Sequence, residues 1–346
     1  MNLLFFLLIT FEVFQFIQHR MAEARSAVST GQCKNCPTPD IYLIVTDGYA
    51  GKEQLEKYFH FDNRAFEDSL QALGFYVVDS SFSNYSSTSQ SMTSLLNMHY
   101  NVIEGEDAHV QINQNNTTAF FEKMGYQVHN NSIFKLAEQF PKRPIGYFKT
   151  GIGLIRYHTF FAHLEAVIHN SLSNWQVESE RQKMQNAIDE RTHKESIRDS
   201  LTLQELLDGV SPKRSSPKFV YSHFMMPHPP YLFSEDGQQP DTSASPEKQY
   251  ISYLQYTNKQ LLKAAKRILQ YSTEPPVIIL LSDHGFRNDD LPHPTPFRFS
   301  NLVAVYLPNK QRKLFYKGLS NVNIFRVLLN HQFEQNLPFL KDSTCY

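Results

Sequence analysis

The chain has 346 residues, of which 41% are hydrophobic and 13% aromatic, so it can bury a sizeable core and is not a disordered protein. Its net charge is −1 and its basic residues do not gather into one patch. This charge distribution excludes a nucleic-acid binder that relies on electrostatic attraction.

The N-terminal segment is apolar enough to meet a membrane. Residues 1–18 contain few polar side chains, although Glu12 near the middle would be costly in hydrocarbon. We expect a membrane anchor or the last transmembrane helix there, followed by a polar linker over residues 19–39. Arg20 and Arg25 follow the segment, which by the positive-inside rule favours a cytoplasmic body.

Two cysteines lie in the linker, in the sequence CKNCP. Cys33 and Cys36 lack the second close pair that a four-ligand zinc site requires. They are either a local disulfide or two free thiols, and the sequence leaves both open. A disulfide would favour the outer face of the membrane.

From residue 40 onward, apolar strands alternate with amphipathic helices. Gly74 and Gly125 each follow a helical pattern, in the position that a helix C-terminus favours. The strands read as continuous apolar runs, which is typical of a parallel sheet covered on both faces. We therefore predict an α/β fold with a mostly parallel central sheet and helices on both faces. The predicted strands are 41–45, 75–79, 127–130, 219–226, 277–283 and 302–308, and the predicted helices include 63–73, 117–124, 247–270 and 321–333.

A charged amphipathic stretch interrupts this alternation. Residues 174–208 carry mixed charges at helical spacing, which indicates a surface helix or helical hairpin with a solvated face. We expect one catalytic domain over residues 40–346, with a helical insertion near residues 155–210.

Metal-type ligands follow three of the predicted strands. Asp47 follows the first, His228 lies beyond "FVYSHFMM", and the strand "VIILLS" runs directly into Asp283 and His284. Because parallel strands deliver their carboxyl ends to one rim, we expect a divalent ion there, zinc or manganese. Asp47 could instead belong to a simple Asp-Gly turn and His228 to a rigid proline loop, whereas His223, inside its strand, reads as a core histidine.

The stretch "NYSSTSQSMTSLLNMHY" is rich in hydroxyl side chains. Met92, Leu95 and Leu96 have helical spacing, so a helix begins among the hydroxyls. One of them could simply be an N-cap. Alternatively, a hydroxyl at a helix N-terminus beside a metal ion can attack a phosphoryl or sulfuryl centre.

The motifs "DIYLIVTDG", a hydroxyl opening a helix, "HPPY" and "SDHG", in that order, resemble the alkaline phosphatase superfamily. The closest similarity is to its sulfatase-like, membrane-anchored branch, which includes lipoteichoic acid synthases and phosphoethanolamine transferases. The resemblance covers roughly residues 38–310. It implies metal ligands at Asp47, Asp283 and His284, and a nucleophile and further ligand at Thr88, in a T-x-x-S pattern with Ser91.

The nucleophile position also shows how the chain departs from the family. Ser87 and Ser89 remain alternatives to Thr88. Ester sulfatases need a cysteine or serine there, followed by proline and arginine, whereas this chain has Thr88, Gln90 and Met92. The resemblance therefore implies phosphoryl transfer rather than sulfate hydrolysis through formylglycine.

The resemblance implies one divalent ion, with His228 acting in catalysis and His293 contacting the substrate phosphate. As a loop residue, His293 could also have no role. We expect a phosphotransferase or phosphodiesterase acting on phospholipid or glycan phosphodiesters of the envelope, anchored to the membrane with its catalytic domain on the extracytoplasmic face. The alternatives are a sulfuric ester hydrolase of the same fold and a non-catalytic membrane-anchored member.

Overall fold

The computed structural model describes residues 33, 36–100, 102, 106–142, 197–210, 216–287, 295–308 and 314–345. The predicted segment 1–18, most of the linker, and the insertion before residue 197 lie outside the described residues. Among the residues that are described, no helix is both long and apolar enough to cross a bilayer.

Six strands form one sheet in the order β2-β6-β5-β1-β4-β3. The strands β1, β3, β4 and β5 are mutually parallel, and β6 runs antiparallel to both of its neighbours, β5 and β2. The prediction of a mostly parallel sheet is confirmed. The strand bounds are β1 Ile41–Asp47, β2 Tyr76–Val77, β3 Gln127–Asn131, β4 Lys218–Pro227, β5 Val277–Ser282 and β6 Val303–Tyr306.

Helices cover both faces of the sheet, as predicted. They are α1 Lys52–Lys57, α2 Arg64–Ala72, α3 Thr88–Asn97, α4 Glu106–Asn113, α5 Asn116–Lys123, α6 over 197–208, α7 Pro246–Tyr271 and α8 Asn321–Gln332. α6 lies within residues 155–210, where we expect a helical insertion.

The side chains of β1 alternate between two apolar cores. Leu43 and Val45 face the core formed with α3, α4, α5 and α8, whereas Tyr42 and Ile44 face the core formed with α1, α2, α6 and α7. Since every β1 side chain is buried, the strand shows no polar alternation. Each fully buried aliphatic side chain stabilises the fold by about 1.5–3 kcal/mol relative to exposure.

The predicted strand over residues 75–79 is wrong in length. Only Tyr76 and Val77 pair with β6. The flanking Phe75 and Val78 are buried in different cores, and Val78 donates one backbone hydrogen bond, to the carbonyl of Val303 at 2.8 Å. Burial of apolar side chains made this segment resemble a longer strand.

The end of the linker packs on the domain. Cys33 and Cys36 form a disulfide, and Cys36 contacts the core that includes α3 and α8. Tyr126 donates a hydrogen bond to the carbonyl of Pro39 at 3.0 Å.

Candidate active site

The central strands β1 and β5 deliver two carboxylates to the same edge of the sheet. Their parallel register pairs Thr46 with Ser282, so that Asp47 and Asp283 leave the sheet side by side. Both residues are buried, at 3% and 0% exposure. Buried carboxylates are costly unless they are paired or bind a cation.

The turn after β1 is fixed by hydrogen bonds. Gly48 has a φ of +68°, a conformation that favours glycine. Its N–H donates to Asp283 Oδ1 at 3.0 Å, and its carbonyl accepts from the Tyr250 hydroxyl at 3.0 Å. Asp47 and Asp283 are therefore coupled through the backbone as well as through their proximity.

His284 presents one ring nitrogen to these carboxylates. Its Nδ1 donates to the carbonyl of Gly285 at 2.7 Å, which leaves a lone pair on Nε2. Nε2 lies 3.5 Å from Asp47 Oδ1 and 3.5 Å from Asp283 Oδ2. Those two carboxylate oxygens are buried and accept no hydrogen bond from any described residue.

The three side chains have the composition and spacing of a metal site. Ligand atoms of Asp47, Asp283 and His284 all lie within 4.8 Å of one another. Two carboxylate oxygens without donors and one imidazole lone pair fit a divalent cation such as zinc. Asp47, Asp283 and His284 therefore suit the divalent ion that the resemblance implies.

The electrostatics of the cluster favour a bound cation. Burial and the charge of Asp283 raise the pKa of Asp47 well above its usual range. Burial acts to raise the pKa of Asp283 as well, but the charges of His284 and His223, together with hydrogen bonds from Gly48 and Thr88, outweigh it and hold that pKa low. Burial lowers the pKa of His284 to about 4, so the ring is neutral at pH 7 and Nε2 can serve as a ligand.

Thr88 is the hydroxyl that reaches this cluster. It is the first residue of α3, and its Oγ1 lies 3.4 Å from Asp47 Oδ2 and 3.4 Å from His284 Nε2. Ser87 occupies the N-cap without capping the backbone, and its hydroxyl donates to Gln90 Oε1 at 2.6 Å. Among the described residues, the hydroxyl hydrogen bonds to the side chains of Asp47 and His284 come from Thr88, and none comes from Ser89.

The sequence model of the Sulfatase family matches residues 40–326. The chain belongs to the sulfatase family. A search of curated protein sequences gives no match.

Solved structures share the fold of this sulfatase-family chain. It is similar to the periplasmic domain of EptC from Escherichia coli in complex with Zn, with a TM-score of 0.54, 11% identity, and coverage of 88% of this chain and 85% of that one. A putative sulfatase, yidJ, from Bacteroides fragilis has a TM-score of 0.53 and 12% identity, covering 86% and 75%. The soluble domain of lipooligosaccharide phosphoethanolamine transferase A from Neisseria meningitidis has a TM-score of 0.50 and 12% identity, covering 87% and 90%.

Of the two histidines predicted to act in the site of this sulfatase-family chain, the structure describes only His228. His228 is half-buried beside the cluster: a Cβ placed on Gly48 would lie 3.9 Å from its ring and 3.7 Å from the ring of His284. Its charge contributes to lowering the pKa of His284. His293 lies outside the described residues, so its predicted role stays a prediction.

Sequence reasoning missed Arg287. Its positive charge lowers the pKa of both Asp47 and His284, so the guanidinium is close to the cluster. The sequence cue to Arg287 is its position three residues after His284, but Arg287 belongs to none of the motifs.

Proposed function

We propose that this chain is a metal-dependent phosphoryl-transfer enzyme, a phosphotransferase or phosphodiesterase, with Thr88 as its nucleophile. The observation that carries the proposal is the convergence of Asp47, Asp283 and His284 with the Thr88 hydroxyl at 3.4 Å. The similarity to the soluble domain of a lipooligosaccharide phosphoethanolamine transferase supports phosphoryl-transfer chemistry.

Asp47, Asp283 and His284 would hold one divalent ion, zinc or manganese, with Thr88 as a further ligand. Such an ion lowers the pKa of a neighbouring hydroxyl and neutralises negative charge on a phosphoryl group. The two carboxylate oxygens without donors support this assignment. A structural relative in complex with Zn supports zinc.

The chain's own residues account for the proton transfers. The Thr88 hydroxyl faces Asp47 Oδ2, which is positioned to take its proton as Oγ1 attacks phosphorus. One bond forms between Oγ1 and phosphorus, and the bond from phosphorus to the leaving oxygen breaks. His228, beside the cluster, would protonate the leaving oxygen. Water or a second alcohol then attacks the phosphothreonine and regenerates Thr88.

Two features would stabilise the anionic phosphoryl group. Thr88 begins α3, so the nucleophile lies at the helix end whose free N–H groups favour an anion. Arg287 adds a full positive charge near Asp47 and His284. Both features act where charge develops during in-line transfer.

A sulfuric ester hydrolase is the second candidate function. Membership of the sulfatase family favours it. Against it, Thr88 stands where the formylglycine route needs cysteine or serine, so sulfate hydrolysis would require a different mechanism.

The substrate would be a phospholipid or glycan phosphodiester of the envelope. The disulfide between Cys33 and Cys36 supports an extracytoplasmic catalytic domain, since disulfides persist in oxidising compartments. Attachment through residues 1–18 would place the site near the membrane surface.

A substrate panel tests this function. We expect the chain loaded with Zn²⁺ or Mn²⁺ to hydrolyse bis-p-nitrophenyl phosphate faster than p-nitrophenyl sulfate. Thr88→Ala should lower kcat by about 10³-fold or more, and the neighbouring control Ser89→Ala should stay within a few-fold of wild type. Hydrolysis of the sulfate ester alone would favour the second candidate. No turnover by a fully loaded site would point to a non-catalytic member.

A further inference from the structure

The carboxamide of Asn321 lies beneath the turn that carries Asp283 and His284. Asn321 is the first residue of α8 and is fully buried. Its Nδ2 lies 3.3 Å from the carbonyl of Ser282, 3.3 Å from that of Asp283, and 3.5 Å from Ser91 Oγ. Its Oδ1 accepts a hydrogen bond from Asn301 Nδ2 at 3.0 Å.

These contacts satisfy carbonyls that the sheet leaves open. β5 ends at Ser282, which forms its last ladder pair with Thr46, so the Ser282 carbonyl lies at the end of the strand and the Asp283 carbonyl lies beyond it. A buried carbonyl without a donor costs about 1–3 kcal/mol. Ser91 donates to the second carbonyl at 2.5 Å and Asn301 to the first at 2.8 Å.

Asn321 is the side chain that connects Ser91 and Asn301, the other two donors to these carbonyls. Among the three donors, it alone reaches both carbonyls and also contacts the other two side chains. Ser91 donates its single hydroxyl hydrogen to the Asp283 carbonyl, and Asn321 Nδ2 lies 3.5 Å from the same hydroxyl oxygen. The Asp283 carbonyl is therefore held from two helices, by Ser91 on α3 and by Asn321 on α8.

The network also connects the turn to the helix that carries the nucleophile. Ser91 lies one helical turn after Thr88 on α3. A shift of the Asp283 carbonyl relative to Ser91 would change the 3.4 Å separations of Thr88 from His284 and Asp47. Displacements on the order of 1 Å in such a constellation cost about 10²-fold in rate.

The geometry points to Asn321 as the positioning residue that holds the Asp283–His284 turn in register with Thr88. This inference rests on the proposed function for its catalytic consequence. Its structural consequence, an aligned set of metal ligands, is independent of the reaction and can be measured with the metal alone.

Asn321→Ala tests the inference, with Asn323→Ala as the matched control. Asn323 is equally buried on the same helix, but its side chain contacts Leu340, Asp342 and Tyr316, away from the site. We expect both variants to lose similar thermal stability. Only Asn321→Ala should weaken the Kd for Zn²⁺, measured by chelator competition, and it should do so by about 10–100-fold.

Kinetics supply a second readout. Asn321→Ala should lower kcat on bis-p-nitrophenyl phosphate by about 10-fold or more with KM nearly unchanged, and Asn323→Ala should not. Should Asn321→Ala fail to fold, Asn321→Ser, which retains a small hydrogen-bonding group, is measured against the same criteria. Equal Zn²⁺ affinity in the Asn321 and Asn323 variants would overturn the inference. An inactive wild type with a Zn²⁺ affinity that still depends on Asn321 would refute the proposed function and leave the inference standing.

Discussion

Thr88 and Ser87 carry the same functional group on adjacent residues, yet only Thr88 faces Asp47. Ser87 has extended backbone angles at the N-cap, and Thr88 is the first residue of α3. The hydroxyl of Ser87 is therefore turned toward Gln90, and that of Thr88 toward the carboxylates.

A second buried histidine gives the apo protein a pH-dependent stability. Burial lowers the pKa of His223 to about 4, and its Nδ1 contacts the Tyr221 hydroxyl at 2.8 Å. The unfolded chain has a histidine pKa near 6.5 and therefore binds more protons between pH 6.5 and pH 4. Stability from neutral His223 is complete above about pH 6.5 and is lost as the pH falls through this window.

Denaturant titrations in the presence of a chelator should show this dependence. The free energy of unfolding should fall by about 1.4 kcal/mol per pH unit for each histidine that is buried neutral. His284, with a pKa of about 4, should add a second such contribution. Between pH 6 and pH 5, His223→Gln should reduce the slope of the free energy of unfolding against pH by the contribution of one proton, about 1.4 kcal/mol per pH unit. An unchanged slope in that variant would show that His223 is not buried neutral.

The site residues that the sequence could predict are those that end a strand or open a helix. Asp47, Asp283 and His284 follow apolar runs, and Thr88 precedes helical spacing, so local patterns reveal them. Asn321 and Arg287 carry no such signal. Asn321 meets Ser91 across 230 residues of sequence, and only the fold brings the two together.

At the scale of elements, the turn after β5 is held by close backbone packing. Gly285 donates its N–H to the carbonyl of Arg298 at 2.8 Å. A Cβ at this position would lie 2.3 Å from the carbonyl oxygens of both Phe297 and Ser300. Gln54 holds the next residue by bonding both the N–H and the carbonyl of Phe286.

Gly285→Ala should therefore displace the turn that carries His284. We expect a loss of about 2–4 kcal/mol in the free energy of unfolding and a weaker Zn²⁺ affinity, because the backbone must move. Gly209→Ala is the control, since the nearest neighbour of its Cβ would be the carbonyl oxygen of Glu205 at 3.1 Å, in the last turn of α6. Denaturant unfolding and chelator competition measure both effects. Equal stability of the two variants would contradict the tight packing around Gly285.

The elements predicted best were the buried strands and the helices closed by glycine. Gly74 and Gly125 have φ values of +97° and +83°, so the helix ends could be located from the sequence. The direction of β6 could not be predicted from the sequence. Its apolar run suits either direction, and only the pairing of Leu281 with Val303 and of Ile278 with Tyr306 shows that it runs antiparallel to β5.

At the scale of the whole molecule, the sheet and a helix packed on it bring the two parts of the candidate site together. β1 and β5 supply the carboxylates and His284, and α3, packed on one face, supplies Thr88. The order of motifs along the chain was visible in the sequence. The distances between them depend on parallel pairing between segments more than 230 residues apart, such as Thr46 and Ser282.

The predicted division into anchor and catalytic domain can be tested with two forms of the chain. We expect residues 33–346 to fold with the thermal stability and Zn²⁺ affinity of the full chain, because residues 36–39 already pack on the domain. The full chain should bind vesicles containing anionic phospholipid, and the shorter form should stay in solution. Vesicle binding by the shorter form at equal strength would contradict an anchor in residues 1–18.

Mass spectrometry of the reaction intermediate tests the central claim most directly. The chain loaded with Zn²⁺ is mixed with bis-p-nitrophenyl phosphate, quenched rapidly in acid, and analysed as intact protein and as peptides. We predict a phosphoryl adduct on the peptide containing Thr88, present in Ser89→Ala and absent in Thr88→Ala and Asp283→Asn. An adduct that persists in Thr88→Ala, or turnover by that variant at the wild-type rate, would contradict Thr88 as the nucleophile.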